Sequence, residues 1–489
     1  MTAIDRIDTP RPPAPAGMTR PRFHLTPRRN WMNDPNGLVH HGGLWHVYYQ
    51  YNPESPDWGN MSWGHATSPD LLRWTEHPVA LRYRDGEQVF SGSVVASRTP
   101  EDGTLTALYT SAYDDQHQAQ SRATSTDGGW TWDRDPANPV LDRGTAAFRD
   151  PKVTRYVDNE GRARWILVAV EADDRQVLFY ESSDLREWEH LSTFGPIGPK
   201  GVVWECPDLL RLPVDGGDEE RWVLLLSTNP VGEHPDPDGS SMSYVVGDFD
   251  GREFTADEAR LVRLDHGRDL YAGVTFDRTP SGEAVLLAWM NNWRYAHEIP
   301  TSPWRGAMSL PRRLDLTRSE GRYLLRQAPV GEVAEWLRAA VPSTVPGVAQ
   351  PFEHRSGGHL LCELGWDPRS TGPLTVRLNA GAGAEVAVRH EVATGELRVT
   401  RTGPAAESVH PDFPTVSTAA LSSDRPARLL VSLDGSLLEV FVNGGEQCIS
   451  NLVPFGPGPV TVSVDTSGRG PVTITTVDPV VHLPATPPD

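Results

Sequence analysis

The chain repeats itself, and the period restricts the folds open to it. Ser68-Pro69-Asp70-Leu71-Leu72-Arg73-Trp74 returns as Ser125-Thr126-Asp127-Gly128-Gly129-Trp130-Thr131-Trp132 and again as Ser182-Ser183-Asp184-Leu185-Arg186-Glu187-Trp188, a step of 57 residues both times. A fainter fourth copy is Asp248-Phe249-Asp250-Gly251-Arg252-Glu253-Phe254. In each copy the polar cluster reads as a tight turn and the aromatic as the start of the next strand. Strand-like runs precede three of them: Met61 to Thr67, Val177 to Glu181 and Ser243 to Val246.

A second series keeps step with the first. Asn33-Asp34-Pro35, Ser91-Gly92-Ser93, Arg149-Asp150-Pro151, Glu205-Cys206-Pro207 and Tyr271-Ala272-Gly273 follow one another at steps of 58, 58, 56 and 66 residues. Five units of this size fit between residues 20 and 325. A four-stranded antiparallel unit repeated five times is a five-bladed β-propeller, whose closure hides the strand edges. Equivalent positions of successive inner strands then face one axial channel. That brings Asp34, Asp150 and Glu205 together, although 171 residues separate the first from the last. Three carboxylates in one cavity are a candidate for chemistry rather than solvated turns.

Beyond the repeats the pattern changes. Residues 329–351 read as a proline-bounded linker with one short helix at Val333 to Ala340. From residue 352 to 489 short alternating strands and glycine turns indicate a β-sandwich (Leu374 to Leu378, Glu385 to Arg389, Leu397 to Thr400, Arg428 to Leu433, Leu438 to Asn443, Val460 to Val464, Pro471 to Val477), with no recognisable polar constellation. The expected organisation is a disordered lead over residues 1–20, a propeller over 21–328, the linker, and the sandwich. The expected fold class is all-β.

Composition narrows the partners. A formal charge of −20 argues against nucleic acid and anionic membrane, since both need a cationic face. It is compatible with a neutral sugar. Cys206, Cys362 and Cys448 show neither metal-ligand spacing nor a disulfide framework. No apolar run of signal-peptide or membrane-span type is present, so the expectation is a cytoplasmic protein, with Met18 a possible start. The sequence leaves the oligomeric state open.

Two carboxyl groups flanking a glycosidic bond are the minimum for hydrolysis through an oxocarbenium-like transition state. Asp34 lies in Trp31-Met32-Asn33-Asp34-Pro35-Asn36-Gly37, read as a rigid turn ahead of the strand Leu44 to Tyr49, and suits the nucleophile. Glu205, between Trp204 and Cys206, suits the acid/base. Asp150 adjoins Arg149, which should keep it ionised and able to stabilise the transition state. Trp58, Phe90 and Trp289 supply flat apolar faces for sugar rings, and Tyr271 opens the fifth unit on the same channel. The 16 histidines form no ligand set, and His24, His40, His41, His46 and His65 read as bystanders.

These motifs resemble those of glycoside hydrolase family 32. The resemblance rests on Trp31 to Gly37, Gln50-Tyr51-Asn52-Pro53, Trp58 to His65, Phe90-Ser91-Gly92-Ser93, Phe148-Arg149-Asp150-Pro151 and Trp204-Glu205-Cys206-Pro207. Trp289 to Trp293 and Pro303-Trp304-Arg305 add to it, with the run Glu439 to Glu446 consistent but less diagnostic. It implies a retaining exo-β-fructosidase that takes terminal fructofuranosyl units from fructans, fructo-oligosaccharides or sucrose, without a cofactor or metal. It implies Asp34 as nucleophile, Asp150 as stabiliser and Glu205 as acid/base, and fructosyl contacts from Asn33, Gln50, Trp58, Ser91, Arg149 and Trp289. The absence of an export signal turns the expectation towards sucrose and short oligosaccharides. A fructosyltransferase using the same covalent intermediate and a non-catalytic sugar-binding propeller are the competing readings. An arabinosidase is disfavoured by Trp31 to Pro35 and Trp204 to Cys206.

Overall fold

The computed structural model describes residues 17–96, 103–232, 238–345, 352–381 and 383–482. Five antiparallel sheets follow one another, each built on an inner strand: Asn30–His41, Glu87–Ala96, Phe148–Val157, Val202–Pro213 and Tyr271–Thr275. Each inner strand leads through consecutive partners to an outer one, as Phe148–Val157 does through Ala163–Glu171 and Gln176–Ser182 to Glu189–Phe194. The repeated Ser-x-Asp clusters join third strands to fourth. Ser68, Ser125 and Ser182 each donate from Oγ to the aspartate two residues on, at 3.2, 2.8 and 3.1 Å, and that carboxylate caps the next backbone N–H groups. Asp250 accepts the same way from the N–H groups of Arg252 and Glu253 in the fourth blade. The fifth blade lacks the cluster, because residues 290–311 leave the sheet between Ala284–Trp289 and Arg312–Ser319.

Closure joins the last blade to the first. Trp304–Arg305 pairs in parallel with Asn30 and Trp31. Gly306 follows at φ +95°, and a Cβ there would lie 2.0 Å from the Met32 carbonyl oxygen, so only glycine permits the approach. The segment from Asn33 to Gly37 is not the turn its residue types predict. It lies inside the inner strand Asn30–His41, which absorbs Pro35 and Gly37 through two register shifts. Neighbouring blades pack through the apolar faces of their inner strands, which is why these strands are buried nearly end to end.

The C-terminal part is two six-stranded sheets over one apolar core that includes Leu360, Val388, Leu429, Val440 and Val462. The helix Gly331–Ala339 stands where the sequence places it. Two expectations need correcting. Ser343–Val345, assigned to the linker, is already a sandwich strand paired with Val472–Val477. Within the expected disordered lead, Met18 is buried and its N–H donates to the Pro300 carbonyl, while Thr19 donates to Phe455. Residues 1–16 lie outside the described chain.

The sandwich also carries the polar constellation that its sequence concealed. Asp434 and Glu439 are fully buried and reach the N-terminal segment and the fifth blade. Asp434 accepts the N–H groups of Arg22, Phe23 and His24, while Glu439 pairs with Arg312, which also meets Asp265 at 2.9 Å. Arg401 meets Asp269 at 2.6 Å. Charges buried this deeply survive only because each is paired. His24 is therefore no bystander: Nδ1 is 2.7 Å from Asp434 and Nε2 is 2.8 Å from Glu439.

Candidate active site

All five inner strands break register at the same level. The shifts fall between Met32 and Pro35, Val89 and Gly92, Arg149 and Lys152, Glu205 and Asp208, and Tyr271 and Val274. In the last three strands the irregular residue has positive φ: Asp150 at 62°, Cys206 at 48° and Ala272 at 53°. For residues other than glycine this backbone costs about 1–3 kcal/mol each and persists only where the surroundings enforce it. Its effect is to re-aim side chains at one depth of the channel.

The result is one hydrogen-bonded cluster. Asp34 accepts from Asn33 Nδ2 at 2.9 Å and from Ser91 Oγ at 2.8 Å. Asn33 is itself held by the Trp31 indole N–H at 2.6 Å. Glu205 accepts from Arg149 Nη2 at 3.0 Å on one oxygen and from the Tyr271 hydroxyl on the other. Asp150 Oδ2 accepts the Cys206 N–H at 2.9 Å, and the Asp150 N–H donates to Thr110 Oγ1 at 2.9 Å. The Cys206 thiol lies 3.7 Å from both Asp34 Oδ2 and Asp150 Oδ2 and bridges the first and third blades. Asp34, Asp150 and Glu205, with Ser91, Arg149 and Tyr271, thus meet from five separate blades.

The remaining sequence candidates take different places. Gln50 is buried and donates from Nε2 to the Val89 carbonyl at 3.1 Å, tying the first blade to the second. Trp58 is 41% exposed and meets Phe90 edge-on at 5.9 Å. Beside it Asp57 pairs with Arg305 at 3.0 Å. Trp289 is fully buried, 4.9 Å from Trp293 and 6.0 Å from Trp31, with no protein acceptor for its indole N–H.

Two of the three carboxylates share one guanidinium and Asp34 has none, so the cluster favours keeping a proton. Burial pushes Asp34 above the usual carboxylate range, with Asn33 pulling it back and the charge of Glu205 adding to the rise. Burial likewise raises Asp150 to about 7; Arg149 opposes this, but Glu205 and Asp34 reinforce it. The expectation that Arg149 keeps Asp150 ionised is therefore corrected: Arg149 is shared with Glu205 and does not outweigh burial. Burial also holds the Cys206 thiol far above its ordinary value, so it acts here as a neutral donor. Among the described residues no His, Cys, Asp and Glu side chains gather as a metal site.

Sequence reasoning passed over Cys206, Asn36 and Lys152. Cys206 has neither redox nor metal-ligand spacing, yet it directly follows Glu205. Asn36 and Lys152 each stand two residues beyond a candidate carboxylate on the same inner strand.

Comparison with known proteins follows the same boundaries. The profile described as Glycosyl hydrolases family 32 N-terminal domain matches residues 24–329, and that described as Glycosyl hydrolases family 32 C terminal matches 337–472. A levanase of Bacillus subtilis is 37% identical over 89% of this chain, which spans 66% of the levanase. An extracellular exo-inulinase of Aspergillus niger is 34% identical, with 88% of each chain covered. The crystal structure of an exo-inulinase from Aspergillus awamori superposes with a TM-score of 0.85 at 31% identity, covering 94% of this chain and 98% of that one.

Proposed function

The chain belongs to glycoside hydrolase family 32, and from that membership we propose that it is a retaining β-fructosidase acting on the terminal β-fructofuranosyl unit of fructans, fructo-oligosaccharides or sucrose. The observation that carries the proposal is the convergence of Asp34, Asp150 and Glu205 on one bulged level of the channel, with Arg149, Tyr271 and Ser91 bonded to them.

Asp34 attacks the anomeric carbon of the fructosyl ring while Glu205 gives its proton to the departing oxygen. Glu205 then takes a proton from the water that breaks the covalent ester, so two inversions leave the configuration retained. Asp150, held by Cys206 and Thr110, accepts from ring hydroxyls and stabilises the positive charge of the transition state. Three carboxylates and one guanidinium suit this division of labour, because one group must be protonated while another is ionised.

The levanase, exo-inulinase and exo-inulinase crystal structure support fructan as substrate class. Exo attack is supported by the exo-inulinase of Aspergillus niger and by the exo-inulinase structure. The test is the early time course on sucrose, kestose, nystose, inulin and levan. Free fructose as first product from every one supports the reading. Longer oligomers ahead of fructose would show an open cleft. Trisaccharides accumulating at high sucrose would show transfer to sugar in place of water.

A further inference from the structure

Just below the catalytic level the channel narrows to a cavity of about 10 Å³ that every inner strand helps to bound, through Asn36, Gly92, Asp150, Lys152, Cys206 and Val274. That volume is close to the space one water molecule needs. Asn36 is fully buried, and its Oδ1 accepts the Gly92 N–H at 3.2 Å. Its Nδ2 donates to no protein group. Lys152 closes the floor, its ammonium bonded to the Thr275 carbonyl and 3.2 Å from Asp208.

We propose that this cavity is a built water site and that Asn36 is a positioning residue for the reaction: its Nδ2 donates to one fixed water, and that water donates to the Asp150 carboxylate. A buried amide donor finds a partner in this way, and the water gains the two or more polar neighbours it needs. Asp150 already takes the Cys206 N–H at 2.9 Å on Oδ2. A further donor from below, beside the Cys206 N–H and thiol, fixes the plane of the carboxylate and favours its ionised form. The charged and titratable groups around it are Asp34 from the first blade, Arg149 and Lys152 on its own strand, Glu205, Cys206 and Asp208 from the fourth blade, and Tyr271 from the fifth. Lys152 is neutralised by Asp208, so the donor that the site needs from below comes from Asn36 and not from the ammonium.

This inference rests on Asp150 acting as stabiliser, so Asp150→Asn is run beside the two Asn36 variants. Asn36→Asp keeps the acceptor for Gly92 and converts the donor into a charged acceptor. Its kcat should fall on the order of 10- to 100-fold with KM nearly unchanged. The ascending limb of kcat/KM should move up by about one pH unit or more. Asn36→Ala, which adds no charge, should lose kcat in the same direction with a smaller shift of the limb, and it serves alone if the aspartate variant does not fold. Thermal melts establish folding in each case. Wild-type kcat and pH profile in a folded Asn36 variant, with Asp150→Asn inactive, overturns the inference and leaves the proposed function standing. Full activity in Asp150→Asn overturns both.

Discussion

Arg149 and Glu205, 56 residues apart and on different blades, meet at 3.0 Å inside the channel. The guanidinium also stands 3.9 Å from Asp150, so one cation serves two of the three carboxylates. The chemistry therefore depends on how protons are distributed over a shared cluster.

Asp34→Asn and Glu205→Gln should each fold and lose most activity. General acid catalysis alone contributes about 10²–10⁴-fold, and losses of that size or more are expected in kcat on sucrose. Azide should partly restore the Glu205 variant on a fructoside with an activated leaving group, which needs no proton. Turnover near wild type in Asp34→Asn would end its assignment as nucleophile.

The pH profile of kcat/KM should be bell-shaped, with an ascending limb that reaches towards pH 7. Asp150 is held up to about 7 by burial and by Glu205 and Asp34, so the free enzyme at lower pH carries a proton there that must leave. The limb belongs to the coupled carboxylates together. Asp150→Asn should lower kcat far more than it changes KM and should displace this limb. A profile of Asp150→Asn that overlays the wild type would contradict the role.

Stability should fall as the medium turns alkaline. Burial alone would depress His24, but its hydrogen bonds to Asp434 and Glu439 prevail and raise it from 6.5 to about 9. A raised histidine stabilises fully below pH 6.5, and that contribution is lost as pH climbs through about 9. Melting temperatures between pH 6 and 10 should decline in the wild type. His24→Gln should melt lower throughout and show a flatter decline.

A second histidine group predicts the opposite edge. His46 and His65 stack at 5.3 Å with Nδ1 to Nε2 at 3.1 Å, beneath Trp130, with His77 alongside. Burial lowers His46 to about 4 and His65 to about 2. A depressed histidine stabilises above pH 6.5 and loses that contribution as pH falls towards its folded value. Acid melts from pH 6.5 to 4 should therefore drop steeply, and His65→Gln should reduce the slope. An unchanged slope in that variant would place the acid sensitivity elsewhere.

The blades were legible because their turns are written in residue types: Ser68, Ser125 and Ser182 with their aspartates make the same contacts three times over. The convergence of Asp34, Asp150 and Glu205 followed from the same period. The bulges were not legible, since Cys206 and Ala272 at positive φ are enforced by neighbouring blades and carry no local signal. Nor was the state of Asp150, which depends on burial that adjacent Arg149 conceals. In the sandwich, Asp434 and Glu439 sit among alternating apolar residues and resemble solvent-facing positions. Their partners His24 and Arg312 lie 410 and 127 residues away, beyond any periodic pattern.

The same buried pairs bear on how such a chain can be divided. Cutting after the fifth blade would strip His24 of Asp434 and Glu439, and Asp269 of Arg401, and would leave Arg312 with Asp265 but without Glu439, so charges in a surface meant to be dry would lose their partners. Breaking one buried pair costs roughly 3–5 kcal/mol, and total stabilities run only about 5–15 kcal/mol. The propeller is thus not a portable cassette. Recombination that exchanges catalytic halves between relatives must carry the sandwich along, or rewrite the seam on both sides at once.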